Sequence, residues 1–149
     1  MCIFGAIQAT ASSQTVDIDA AGNIALAAVT SDAALTIDAT NSGTVICNGN
    51  LESEAGSVAI TAAGAVTTKG TVRAVASSQT ITVQAGGAST IGDSSETDDV
   101  TAHGNVSVTT TSGALTTNGD ITSTAVNVVL DSAAGLDTNQ PITSIRWFH

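Results

Sequence analysis

Residues 56–74 read Gly56-Ser57-Val58-Ala59-Ile60-Thr61-Ala62-Ala63-Gly64-Ala65-Val66-Thr67-Thr68-Lys69-Gly70-Thr71-Val72-Arg73-Ala74. Two aliphatics two apart, Val58 and Ile60, are followed by single aliphatics at Val66 and Val72, with Gly64 and Gly70 between them. Alternation with a period of two puts Val58 and Ile60 on one face of a strand and Ala59 and Thr61 on the other or in a corner. Glycine between such runs marks turns. The stretch predicts three short strands joined by two turns.

The pattern recurs along the chain. The aliphatic pair appears at Val16/Ile18, Leu35/Ile37, Val58/Ile60, Ile81/Val83, Val106/Val108 and Val128/Leu130, at successive intervals of 19, 23, 23, 25 and 22 residues. Val106/Val108 leads to Leu115 and Ile121, and Val128/Leu130 leads to Leu136 and Ile142. The third strand is the most regular. Asn50-Leu51-Glu52-Ser53, Thr71-Val72-Arg73-Ala74, Asp120-Ile121-Thr122-Ser123 and Pro141-Ile142-Thr143-Ser144 all follow a turn, and Val100-Thr101-Ala102 is a weaker copy after Asp98-Asp99. A repeat of about 22 residues with three strands is one coil of a parallel β-solenoid, in which like positions of successive coils stack into ladders. Six coils at ~4.8 Å give a rod of roughly 29 Å. Residues 1–13 read as an N-terminal segment or cap, 14–144 as the repeats and 145–149 as a C-terminal aromatic tail.

Composition supports this class. Among 149 residues there are 25 Ala, 24 Thr and 16 Ser, but only 6 Leu and three aromatics, Phe4, Trp147 and Phe148. That cannot fill a helical core, whereas a narrow solenoid interior takes Val, Ile and Ala. The 50 β-branched residues favour strands. A β-sandwich would not explain the 22-residue period, and an Ala-rich helix is contradicted by the Val/Thr alternation and the frequent glycines.

The net charge of −10 leaves Lys69, Arg73 and Arg146 as the only basic residues besides two histidines, which excludes a phosphate-binding track for nucleic acid. An anionic membrane surface is disfavoured for the same reason. No apolar run approaches the ~18 residues of a membrane span, and the start, Met1 to Ile7, lacks the basic residues of a signal peptide. Cys2 and Cys47 do not form a disulfide scaffold; Cys47 reads as a buried small residue in a strand.

Gly56 to Gly70, Gly104 to Gly119 and Ala20 to Ala28 resemble rungs of filamentous-haemagglutinin-type exoproteins, and autotransporter passenger domains share the shape and much of the composition. The resemblance spans roughly residues 14 to 144. It implies a right-handed parallel β-helix displayed outside a Gram-negative cell, hence an extracellular or cell-surface location.

Some β-helix proteins cleave polysaccharides, and such chemistry would sit on the outer face. A lyase needs a cation and a base, and Lys69 and Arg73 read as solvated surface. A hydrolase needs two carboxylates facing one cleft. Asp17 and Asp19 share an outward face, and Asp38 stacks over Asp19, a ladder of like charge that reads as solvated. The acidic run Asp93, Glu96, Asp98 and Asp99 has carboxylates suited to Ca²⁺, but neither the EF-hand nor the calcium β-roll spacing; it reads as a surface loop. His103 has no second ligand near it in sequence and reads as a turn residue. The aligned outward ladder Asp19, Asp38, Thr61, Gln84, Thr109, Asp131 is too mixed to match an ice lattice. No catalytic, cofactor-binding or metal residue is assigned.

The sequence therefore points to a non-enzymatic structural or adhesive segment of an exported surface protein. A self-assembling extracellular fibre subunit is the alternative, and a carbohydrate-active enzyme the third reading. The partners implied are a second copy through the terminal coils and a host or surface glycan or protein, with no nucleic acid and no membrane insertion. Phe4, Trp147 and Phe148 are expected to cover the end coils or to dock on a neighbour. Pro141 is expected to disrupt the last coil.

Overall fold

The computed structural model describes residues 5–93 and 99–144. Phe4, Trp147 and Phe148 lie outside the described residues, as do Cys2 and the centre of the acidic run, residues 94–98.

The described chain is all-β and winds into a β-solenoid of six coils. Coil 1 comprises β2 (Val16–Ala20), β3 (Ile24–Leu26) and β4 (Val29–Ser31), and coil 2 comprises β5 (Leu35–Ala39), β6 (Val45–Cys47) and β7 (Leu51–Ser53). Coil 3 is β8 (Val58–Ala62), β9 (Val66–Thr68) and β10 (Val72–Ala74); coil 4 is β11 (Ile81–Ala85), β12 (Ser89–Ile91) and β13 (Val100–Ala102). Coil 5 is β14 (Val106–Thr110), β15 (Leu115–Thr117) and β16 (Ile121–Ser123); coil 6 is β17 (Val128–Ser132), β18 (Leu136–Thr138) and β19 (Ile142–Ser144). A short strand, β1 (Ile7–Ala9), precedes coil 1.

Like strands of successive coils pair in parallel, giving three sheets. The long-strand sheet runs β2-β5-β8-β11-β14-β17, the middle sheet β3-β6-β9-β12-β15-β18 and the closing sheet β1-β4-β7-β10-β13-β16-β19. The register follows the sequence alignment: Ile37 pairs Ile60, Ile60 pairs Val83 and Val83 pairs Val108. The weak third-strand copy at Val100 takes its expected place, pairing Val72 on one side and Ile121 on the other. β1 pairs β4 with Ile7 opposite Val29, so the 1–13 segment contributes the outermost strand of the closing sheet.

Alternation decides which residues fill the interior. In β8, Val58, Ile60 and Ala62 are buried while Thr61 is exposed, and β11 repeats this with Ile81, Val83 and Ala85 inside. The single aliphatics Val66, Val72, Leu115 and Ile121 complete the core. The closing sheet carries serine at its inward corner, at Ser31, Ser53 and Ser123, all fully buried. Buried hydroxyls are costly to leave unbonded; these serines are bonded, while the buried Thr117 hydroxyl on the middle sheet has no partner. Ser53 Oγ donates to the Ala33 carbonyl (2.6 Å) and accepts the Gly56 N–H (3.0 Å). Ser123 Oγ donates to the Gly104 carbonyl (2.8 Å) and accepts the Val126 N–H (3.1 Å). Each ties its corner to the coil before it.

The corners stack so closely that some accept only glycine. A Cβ at Gly113 would fall on the backbone of Ala88 in the coil below, whereas one at Gly135 in coil 6 would meet nothing within 4 Å.

Pro141 does not disrupt the last coil. β19 pairs β16 in register, with Ile142 opposite Ile121, and the Pro141 carbonyl accepts the Ile121 N–H at 3.1 Å. Proline is tolerated just ahead of a strand because its carbonyl stays available and its missing N–H lies outside the ladder.

Candidate functional surface

The outward residue of each strand defines what a ligand meets. On the long-strand sheet, Asp19 pairs Asp38 and Asp38 pairs Thr61 in the expected acidic ladder. These carboxylates line a shallow depression of about 330 Å³ with Ala20, Ala21 and Thr40. Asp17 lies opposite Thr36. No group of three or more His, Cys, Asp or Glu able to hold a metal occurs among the described residues.

The two other faces carry threonine. Thr67, Thr90 and Thr116 stack in register on the middle sheet, and Thr101, Thr122 and Thr143 on the closing sheet. Each of these strands has one outward position, so each file is a single row of hydroxyls and methyls along the rod.

Of the two central cations, Lys69 is exposed. Arg73 is paired cross-strand with Glu52, and its guanidinium lies 3.9 Å from the carboxylate. Alignment of the third strands places these residues at one position of adjacent coils, which is the signal for the pair. It is half exposed and contributes little to stability.

Cys47 is a free, buried cysteine on the inner face of β6, and burial pushes its thiol up to about 12. His103 is exposed, and its Nδ1 accepts the Ser78 N–H at 3.2 Å. Ser78 has φ 65°, a left-handed conformation. Three coils earlier, Ser13 has φ 63° and its N–H donates to the Asp32 carboxylate, which follows β4 as His103 follows β13. The sequence Ala-Ser-Ser-Gln-Thr occurs at both corners, 11–15 and 76–80. The shared pentapeptide and the shared left-handed serine make these two corners, three coils apart, equivalent.

Side-chain oxygens at the entry to the long-strand sheet form another ladder. Ser57 Oγ accepts the Thr80 N–H (3.0 Å) and Asn105 Oδ1 accepts the Asn127 N–H (3.2 Å). Asn23 and Asn50 do the same at the other two corners, toward the N–H groups of Thr44 and Thr71. A turn-forming residue whose oxygen bonds the next coil's backbone is a function that pattern reading assigns only to turns.

The two ends differ. At the N-terminal end Ile7, Ala9, Val16 and Ile18 border an apolar groove of about 480 Å³ edged by Asp17 and Asp19. At the C-terminal end the inward residues of coil 6 have no further coil among the described residues, and Leu136 is 50% exposed. No helix among the described residues is long and apolar enough to cross a membrane. Comparison with protein-family models, curated proteins and solved structures finds no match to this chain.

Proposed function

We propose that the chain is a non-enzymatic structural or adhesive segment of an exported surface protein, a rigid stalk whose outer ladders and corners carry any binding. The observation that supports this reading is the continuity of the rod. Each interior coil is bonded on both sides by three in-register sheets, so bending it means breaking backbone hydrogen bonds in more than one sheet together. Surface location rests on the resemblance of its rungs to exoprotein repeats. The threonine files and the Asp19–Asp38 ladder offer repeating polar positions to a glycan or protein.

Incubation with a panel of host and bacterial surface polysaccharides tests this, following binding and the appearance of new chain ends. Binding without new ends is the expected result. New reducing or unsaturated ends would overturn it in favour of a carbohydrate-active enzyme.

The second reading, a self-assembling extracellular fibre subunit, is favoured by the apolar surface of coil 6, where Leu136 and Val129 are half exposed.

A further inference from the structure

The equivalence of the two Ala-Ser-Ser-Gln-Thr corners gives the fibre reading a definite geometry. β1, the corner 10–15 and coil 1 correspond to β10, the corner 75–80 and coil 4, with the same Ala-Ser-Ser-Gln-Thr in both corners. Coil 6 lies three coils after coil 3, as coil 4 lies three coils after coil 1, and its strands align with those of coil 3 (Val58 with Val128, Val66 with Leu136). The junction of coil 3 with coil 4 therefore shows, within one chain, how a coil 6 meets a coil 1. We infer that the C-terminal face of coil 6 docks on coil 1 of a second copy, head to tail, in the register of the coil 3–coil 4 junction. This inference rests on the fibre reading and specifies its interface.

In that junction Val58 pairs Ile81, Ile60 pairs Val83 and Thr67 pairs Thr90. The same register places Val128 opposite Val16 of the next copy, Leu130 opposite Ile18, and Leu136 opposite Ile24. Half-buried or exposed aliphatics of coil 6 thus continue the ladders of the core. A buried polar atom points to the same partner. Asn127 Oδ1 is buried and has no hydrogen-bond partner. Its counterparts one and three coils earlier, Asn105 Oδ1 and Ser57 Oγ, accept the N–H of the aligned residue in the following coil. At coil 4 that residue is Thr80, and its equivalent in the repeated corner is Thr15. The exposed Thr15 of the second copy supplies the N–H that Asn127 lacks. An unbonded buried acceptor is costly, so docking removes a penalty that the single chain carries.

Three features oppose docking and make it recognisable. Val16, Ile18 and Ile24, which coil 6 would meet, are already buried in the single chain, so docking displaces what covers them. The register sets Asp131 against Asp19, extending the Asp19–Asp38 ladder to three stacked carboxylates. Like charges at ~4.8 Å repel, so salt promotes association. β1 also stands where β19 of the docking copy belongs, since both occupy the closing-sheet position preceding a long strand. β19 is fixed to its own coil by β16 and by Ser144 Oγ donating to the Val126 carbonyl (2.7 Å). β1 is joined to coil 1 through residues 10–15, all exposed. β1 yields, and β4 exchanges β1 for the second copy's β19.

Cysteine crosslinking of full-length chains tests the register. Ala25 and Asp137 are outward and directly opposed in it, at a separation a disulfide can span. Ala25→Cys and Asp137→Cys chains, each carrying Cys2→Ser, are mixed under oxidation; the buried Cys47 thiol stays unreactive in the folded protein. The expected result is an A25C–D137C dimer whose yield rises severalfold from 0.05 to 1 M NaCl and rises again with Ile7→Pro, which removes the N–H that holds β1 to Ala28. A25C mixed with Thr67→Cys, whose strand is paired on both sides, is expected to give none. No A25C–D137C dimer, or an equal yield in the Thr67 control, overturns the docking. A yield that does not increase with I7P overturns the strand exchange. Polysaccharide binding without cleavage is unaffected by either outcome, so failure here leaves the stalk reading intact.

Discussion

Coil 3 and coil 6 carry the same pattern and meet different fates. Val58, Ile60 and Val66 are completely buried, while their counterparts Val128 and Leu130 are half-buried and Leu136 is 50% exposed. The strands have the same length and pair in the same register. What differs is the number of neighbours: among the described residues coil 3 has a coil on each side, and coil 6 has one. In a solenoid a residue's burial belongs to the stack, and stability is a sum over neighbouring coils. Equivalent substitutions in the two coils therefore measure the contribution of the stack alone.

The largest expected contrast is between Ile60→Asp and Leu136→Asp. An aspartate at 60 places a charge in an apolar ladder closed by Ile37 and Val83, and the expected loss exceeds ~4 kcal/mol. At 136 the carboxylate reaches water, and the loss is expected to stay below ~1 kcal/mol. Urea denaturation followed by circular dichroism measures both. Equal losses would mean that the ladder is not set by the stack.

A steric version follows. Gly113→Ala drives a Cβ into the Ala88 backbone, which cannot yield without moving a corner, and is expected to cost about 1–3 kcal/mol. Gly135→Ala meets open space and is expected to be neutral or to stabilise by up to about 1 kcal/mol through the unfolded chain. Thermal melts of the two variants give the difference. Loss at 135 comparable with that at 113 would show that these corners need glycine for another reason.

These contrasts also mark what could be read from the residues. Period-two alternation identifies the inner face, and the 22-residue spacing identifies coils, because burial and stacking both act on apolar side chains visible as letters. The ladder through Val100 and the Asp19–Asp38 stack were legible by alignment alone. The role of Pro141 was not, since a proline breaks a strand only where its N–H is needed, and which N–H groups are needed depends on the neighbouring coil. The bonds of Ser53, Asn105 and His103 were hidden for a related reason. A hydroxyl, amide or imidazole in a turn suits solvent, a ligand or a backbone group equally, and only the position of the next coil decides among them. Arg73–Glu52 lay between: the aligned third strands hold it, but charge patterning within one strand does not.

The buried serines give a smaller contrast. Ser53→Ala removes a hydroxyl that both donates and accepts in a closed corner, leaving the Ala33 carbonyl and the Gly56 N–H short of a partner. The expected loss is about 1–3 kcal/mol. Ser144→Ala, in the half-buried corner of coil 6, exposes the Val126 carbonyl to water and is expected to cost under about 1 kcal/mol. A Ser144 variant as damaged as the Ser53 one would indicate that coil 6 is covered in solution.

The smallest expected effect separates the two identical corners. Ser13 and Ser78 share a left-handed backbone, and each offers its N–H to the residue after the closing strand of the coil above, Asp32 in one case and His103 in the other. Both caps bridge adjacent coils, but the first lies at the rod's end and the second in its middle. Replacing either by leucine removes one exposed hydrogen bond, worth about 0.5–1 kcal/mol. At the end that loss is confined to local opening of β1, and hydrogen exchange is expected to quicken at Ile7, whose N–H bonds the Ala28 carbonyl, with little change in melting temperature. In the middle it weakens the junction of coils 3 and 4, so His103→Leu is expected to lower the melting temperature by a degree or more, on the order of 2 °C. His103→Asp, which copies the Asp32 cap, is expected to restore it. If His103→Asp melts with the leucine variant, the imidazole does more at that corner than accept one N–H, and the equivalence of the two corners fails at the residue that differs between them.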